Sequence, residues 1–260
     1  MKQKRFFYIL LIALLGLFLT VAVVSAGGGD ESQKIDTAVT ILGQPFAPDG
    51  PVKEGVVPEE MVPPVMPQTD EQKLAIEPAA PSVVYIYKVR ETFEGVWPNG
   101  NWYTVDNNGA TGGSVCWDDD DWKPFRGRWS GNPANGCTNW VDPQFSFYPN
   151  NMDSWMVNGP FSTVGATAGK LNFKYWNKSE LNFDYLWWCA SPNGTTFYCI
   201  RHTGNSGGWK SGLLNLKNVP GYGNMLGDSS VWAAWRFTSD VNVTNVGAFV
   251  DNAGIVVSRP

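Results

Sequence analysis

The sequence predicts an all-β protein, a jelly-roll-like antiparallel β-sandwich behind an export signal and a non-globular segment. From residue 83 onward, short alternating apolar and polar segments are separated by Gly, Pro, Asn and Asp, which is typical of antiparallel strands. No stretch of a dozen residues there has helical spacing. All 13 tryptophans lie between Trp97 and Trp235, whereas nine of the 18 prolines lie between Pro45 and Pro81. One aromatic-rich domain over 83–260 follows from this division.

The N-terminus has the pattern of an export signal. Three basic residues within the first five positions precede an apolar run at 6–24, and small residues follow it up to Gly27. This predicts a signal peptide over 1–26, cut after Ala26. The alternative is a retained anchor, because about 19 apolar residues nearly span a bilayer. Either outcome makes the domain secreted or extracellular, tethered to the cell surface only if this segment stays in the membrane.

The segment 27–82 predicts a Pro- and acid-rich disordered linker. It carries ten acidic and three basic side chains and one aromatic residue, Phe46. Such a composition buries too little apolar surface to offset the entropy of ordering. The alternative is a propeptide.

The charge and histidine content of 83–260 exclude several classes of function. Fourteen acidic and thirteen basic side chains leave no basic stripe for phosphates, which argues against nucleic-acid binding. The single histidine, His202, excludes an HExxH zinc site and any two-histidine catalytic scheme.

Strand alternation assigns the tryptophans to faces. Leu171, Phe173 and Tyr175 alternate with polar residues, and a second apolar series runs from Leu181 through Phe183 and Tyr185 to Trp187. The predicted inward tryptophans are Trp155, Trp176, Trp187 and Trp235. Neighbours such as Trp188 and Trp232 then face outward.

Four cysteines in an exported chain predict two disulfides. A three-residue hairpin loop with Gly194 at positive φ places Cys189 opposite Cys199, at a separation that a disulfide can span. The remaining pair is Cys116 with Cys137, and the alternative is buried reduced thiols.

Four motifs resemble a known family. They are Asp153–Phe161, Leu171–Trp176, Val231–Asp240 and Gly247–Asn252. Together they look like the MAM-like jelly-roll modules appended to secreted immune-inhibitor-A type metallopeptidases, and the likeness covers roughly residues 92–257. The peptidase domain of that family, with its HExxH helix, has no counterpart here.

The resemblance implies a structural Ca²⁺ between the opening and closing strands. The matching positions are Glu94 and Asp251. Carboxylate and carbonyl oxygens are the ligands that Ca²⁺ takes. The alternative is two solvated carboxylates at the rim of the sandwich.

A run of four aspartates at 118–121 is a second candidate metal site. Alternate residues of an extended segment share a face, so Asp119 and Asp121 could share an ion. The alternative is a solvated acidic loop.

Exposed tryptophans beside Asn, Asp and Gly predict carbohydrate recognition, because an indole packs against the apolar face of a sugar ring. The predicted ligand-binding residues are Trp188, Trp232, Trp102, Trp122 and Trp129. The ligand would be a glycan or another surface polymer. Protein contact is the competing use, because tryptophan is also enriched at protein interfaces.

The catalytic alternatives are weaker. Ser206 lies in a Gly-rich segment like a protease nucleophile loop, but His202 is only four residues away. Glu180 and Asp184 would lie about 13 Å apart on an extended strand, too far for a glycosidase pair. We therefore predict an exported, non-catalytic binding or adhesion module, with an accessory module of a peptidase system and a glycan-active enzyme as the alternatives.

Overall fold

The computed structural model describes residues 83–108 and 114–260, together with the backbone of three short strands before them. The strands, in chain order, are β1 Gln33–Ile35, β2 Val39–Thr40, β3 Gly55–Val56, β4 Val84–Glu91, β5 Trp102–Asp106, β6 Cys116–Asp120, β7 Ser130–Gly136, β8 Asp153–Phe161, β9 Ala168–Lys178, β10 Tyr185–Ser191, β11 Thr196–Thr203, β12 Lys210–Asn215, β13 Val231–Thr238 and β14 Gly247–Arg259. None of these described residues forms a helix, and no helix able to cross a membrane is found among them.

The strands form two antiparallel sheets. Sheet one has the order β5-β8-β13-β10-β11, with β1 and β2 both paired to β11. Sheet two has the order β3-β4-β14-β9-β12, and the β6–β7 hairpin joins it through β14. From β8 to β14 the chain changes sheet at each step except the β10–β11 hairpin. The predicted antiparallel β-sandwich is confirmed.

The main core lies between the sheets and is rich in aromatic rings. Phe173 packs edge-on against Trp188 and Trp235, with ring centroids 5.3 Å apart in each case. Leu171, Phe173 and Tyr175 of β9 all face this core, as alternation predicts. Burial of this aromatic surface is the main stabilising contribution.

A second buried cluster lies on the outer face of sheet one. It contains Trp155, Trp187 and Trp232, together with Phe197 and the Cys189–Cys199 disulfide. Trp235 faces the inter-sheet core as predicted, but Trp155 and Trp187 are buried on this opposite face. Trp176 was also predicted to face inward, but it lies on the outer side of β9 against Phe249.

Both predicted disulfides are present. Cys189 lies directly opposite Cys199 in the β10–β11 hairpin. Gly194 in the hairpin loop has a φ of 71°. Cys116 pairs with Cys137 and closes the β6–β7 hairpin.

The predicted signal segment 1–26 lies outside the described residues, as does most of 27–82. The described parts of the latter pair with the edges of the sandwich: β1 and β2 with β11, and β3 with β4. The two domain boundaries stay predictions. The sandwich agrees with a jelly-roll module, while the specific likeness to MAM-like modules also stays a prediction.

Candidate functional site

The prediction that Trp188 faces outward is wrong. Its side chain is fully buried, and its indole nitrogen donates a hydrogen bond to the Leu213 carbonyl at 3.1 Å. The apolar alternation of 181–187 began in a turn, where Leu181 and Phe183 are exposed, because β10 starts only at Tyr185. The inward side of β10 is therefore the one that carries Trp188.

The other four tryptophans predicted to bind ligand do not form exposed platforms. Trp232 lies on the outer face of sheet one, as predicted, but is only 7% exposed. Trp102 is buried between Trp97 and Trp235. Trp122 and Trp129 are half-buried. A ligand role for these residues stays untested, and the exposed indole of this domain is instead that of Trp140, which is 57% exposed.

A groove of about 720 Å³ crosses the outer face of sheet two. Strand register places one row of side chains along its floor, with Leu213 opposite Asn172, Asn172 opposite Gly254, and Gly254 opposite Arg90. A second row contains Ser211, opposite Lys174. Four strands that are distant in sequence therefore supply the floor.

The loop at 122–127 forms one wall of the groove. The Phe125 and Arg126 amides both donate to Asp251 Oδ2 at 2.9 Å. The Phe125 ring packs on Trp209 with centroids 5.6 Å apart, and Lys174 Nζ lies 5.1 Å from the Phe125 centroid. The buried Asp251 carboxylate thus fixes an aromatic ring at the groove edge.

The groove floor holds an unsatisfied polar atom. Asn172 Oδ1 is buried and has no hydrogen-bond partner. A Cβ at Gly254 would lie 3.1 Å from the Tyr87 ring and 3.3 Å from Asn172 Oδ1. A larger residue in place of Gly254 would therefore crowd both the Tyr87 ring and this acceptor.

Glu94 and Asp251 come near one another, but their oxygens are already engaged. Glu94 Oε1 accepts from the Arg128 and Trp129 amides at 2.8 and 3.0 Å, as Asp251 Oδ2 does from its two amides. Burial raises the pKa of Asp251, and the Glu94 charge adds to this. Backbone amides thus engage one oxygen of Glu94 and both oxygens of Asp251, and the calcium site at these residues stays a prediction.

The aspartate run lines a separate cavity of about 400 Å³. Asp118, Asp120 and Asp121 are in its wall, together with Asp142 and Trp140, whereas Asp119 is not. The predicted pairing of Asp119 with Asp121 is therefore not the arrangement found. Burial raises the pKa values of Asp118 and Asp120 to about 6.

Glu180, Asp184 and Asp240 form a third acidic group, with ligating oxygens all within 4.8 Å of one another. The predicted separation of 13 Å is wrong, because 180–184 is a turn in which the Asp184 amide donates to the Glu180 carbonyl. The Tyr148 hydroxyl donates to Asp184, and the Asp240 amide donates to it at 2.9 Å. None of the three acids lines either cavity described above. Among the described residues this group could hold a cation.

Ser206 and His202 do not form a nucleophile and base. Ser206 Oγ donates to the Gly208 carbonyl at 2.7 Å and accepts from the Asn177 amide. The buried His202 ring contacts the Asn177 side chain through Nδ1 at 3.1 Å. Both side chains stabilise the loop after β11.

No family model matches the chain, and no curated protein matches it. In structure it is similar to the K3 cleaved adhesin domain of Lys-gingipain from Porphyromonas gingivalis W83, with 16% identity over 67% of this chain and 99% of that chain, and a TM-score of 0.44. It is also similar to the CBM22-1 xylan-binding domain of Xyn10C from Paenibacillus barcinonensis, with 13% identity over 67% and 96% of the two chains and a TM-score of 0.40. These likenesses are too distant to assign a ligand.

Proposed function

We propose that this chain is an exported, non-catalytic binding module that holds a glycan chain in the groove of sheet two. The apolar segment 6–24 would direct export, and 27–82 would space the sandwich from its point of attachment. The proposal needs neither a metal nor a reactive side chain, and the predicted Ca²⁺ stays a prediction.

One observation carries the proposal: the Phe125 ring and Asn172, whose buried side-chain oxygen has no hydrogen-bond partner, line the same groove. Phe125, which is half-buried at the groove edge, supplies ring surface of the kind that packs against sugar rings. Asn172 Oδ1 is buried without a donor, which costs about 1–3 kcal/mol. A sugar hydroxyl is a donor that would satisfy it. The groove volume of about 720 Å³ falls in the range of pockets that bind small ligands.

The test is to titrate the protein with a panel of soluble oligosaccharides and to measure the affinity for each by calorimetry. For any oligosaccharide that binds, Phe125→Ala should weaken affinity roughly 3- to 10-fold, because it removes about 0.5–1.5 kcal/mol of ring contact. Asn172→Ala should weaken it about fivefold through the lost hydrogen bond.

Trp140→Ala is the matched control, because this exposed indole lies outside the groove. Equal losses for Trp140→Ala and Phe125→Ala would contradict the groove assignment. Binding to no glycan, with retained binding to a protein, would favour the adhesion alternative. Release of soluble products from the panel would show an enzyme and overturn the proposal.

A further inference from the structure

The groove of sheet two has a charge opposite to that of the whole protein. Its lining contains three cationic side chains, Arg90, Arg126 and Lys174, and one anionic side chain, Glu94. The chain as a whole has a formal net charge of -5. A local excess of cations in an acidic protein attracts anionic ligands and disfavours cationic ones.

Two of these cationic side chains, Arg90 and Lys174, have hydrogen-bond donors that could bind a ligand. Arg90 is exposed, and its side chain makes no ion pair or hydrogen bond with the described residues. Lys174 Nζ donates to Ser211 Oγ at 2.8 Å. An ammonium group has three donors, so hydrogen-bonding capacity remains on Lys174.

The one acidic side chain in the lining, that of Glu94, is hydrogen-bonded to backbone amides. Glu94 Oε1 accepts two backbone hydrogen bonds from the loop at 128–129. These amide donors balance part of its charge locally. Cationic side chains also outnumber the one acid in the lining by three to one.

Register fixes where these two cations lie relative to the unsatisfied acceptor. Arg90 on β4 and Asn172 on β9 both lie opposite Gly254 of β14. Lys174 is two residues farther along β9, on the same face as Asn172. With one strand between them, β4 and β9 are roughly 10 Å apart. The two positive charges thus flank the site at which a sugar hydroxyl would meet Asn172 Oδ1.

We infer that the groove selects an acidic polysaccharide, one whose sugar units carry carboxylates, with Arg90 and Lys174 as the residues that determine this selectivity. The inference rests on the proposed glycan binding at the same site. The planar guanidinium of Arg90 matches a carboxylate in two-point geometry, and Lys174 acts as a point charge. Phe125 would contact a sugar ring through its face, and this contact does not depend on the charge of the sugar.

The experiment compares each acidic oligosaccharide with its own methyl ester, so that charge changes while linkage and ring do not. The probes are hexamers of galacturonic acid, of mannuronic acid and of xylose substituted with glucuronic acid. For the hexamer that binds, the free acid should bind about tenfold more tightly than the ester at low salt, and this difference should shrink at high salt. Arg90→Gln and Lys174→Gln should each lower the affinity for the free acid about three- to fivefold and should lower the affinity for the ester by a smaller factor.

Lys210→Gln is the matched control, because Lys210 is an exposed lysine of β12 that does not line the groove. Equal affinities for acid and ester would overturn the inference and leave the proposed function standing. A loss with Lys210→Gln as large as with Lys174→Gln would also overturn it, because general charge attraction would then explain the preference. Failure of every acid and ester, and of the neutral panel, would overturn the proposed function itself.

Discussion

The two outer faces of the sandwich carry the same kinds of side chain but use them differently. On sheet one, Arg236 stacks over Trp155 with its guanidinium carbon 4.9 Å from the ring centroid, and forms an ion pair with Asp153 at 2.5 Å. On sheet two, Arg90 and Lys174 face a groove. Arg236 is thus held by an ion pair and a ring on the first face, whereas on the second face Arg90 makes no ion pair or hydrogen bond with the described residues.

This difference shows that burial and composition do not by themselves mark a binding face. The outer face of sheet one holds three large indoles that are nearly inaccessible. Arg201 and Arg236 both lie over Trp187, and Arg236 also lies over Trp155. The outer face of sheet two also holds indoles, those of Trp122, Trp176 and Trp209, but it has an open groove beside them. Function is expected where the interactions are incomplete.

The largest expected effect is a difference in the free energy of unfolding between substitutions on the two faces. Trp155→Ala should lower the free energy of unfolding by about 3–5 kcal/mol, because a fully buried indole is lost together with its hydrogen bond to Asp153. Phe125→Ala, at a half-buried ring, should cost less than about 1.5 kcal/mol. Urea denaturation of both variants measures this. A loss below about 1 kcal/mol for Trp155→Ala would mean that the outer face of sheet one is not packed.

A smaller difference in the free energy of unfolding is expected between substitutions of Arg236 and Arg90. Arg236→Gln should lower the free energy of unfolding by about 1–3 kcal/mol, because it removes two charge-assisted hydrogen bonds to Asp153 and the contact with Trp155. Arg90→Gln should change it by no more than about 0.5 kcal/mol. The same denaturation assay compares them. Equal losses would show that Arg90 is also part of the stabilising framework, which would count against its role in binding.

The parts of the fold that sequence reasoning predicted are local ones. The facing positions of Cys189 and Cys199 follow from the glycine of one hairpin, and the inward side of β9 follows from three alternating apolar residues. The orientation of Trp188 was missed because the turn at 180–184 looks like a strand: its apolar residues alternate, but the chain folds back on the Glu180 carbonyl. A pattern of period two does not reveal where a strand begins.

The groove was missed for a different reason. Its floor comes from β4, β9, β12 and β14, whose register is fixed by long-range pairing and by a bulge in β14. The sequence signal that did exist was the polar series Lys170, Asn172 and Lys174 on the outward side of β9. Alternation places these residues on a surface, but it does not say which aromatic or basic residues of other strands lie beside them.

The smallest expected effect concerns the aspartates of the β6–β7 hairpin, which, unlike Asp153, have no cationic side chain in their cavity wall. Burial raises the pKa values of Asp118 and Asp120 to about 6, above those in the unfolded chain. The folded state therefore holds these protons more tightly, so the free energy of unfolding should fall as pH rises from about 4 to about 6 and level off above.

Asp120→Asn should flatten that fall and raise the stability at pH 7 by about 1–2 kcal/mol, a figure reduced for partial solvent screening. The Trp122 amide, which donates to Asp120 Oδ1 at 2.9 Å, can still donate to an asparagine oxygen. Asp228→Asn, at a partly exposed aspartate outside this cavity, is the control and should leave the profile unchanged. Denaturant midpoints between pH 4 and pH 7 measure the slope. A profile of Asp120→Asn that falls as steeply as that of the parent chain would mean that folding does not raise the pKa of Asp120, and would contradict this prediction.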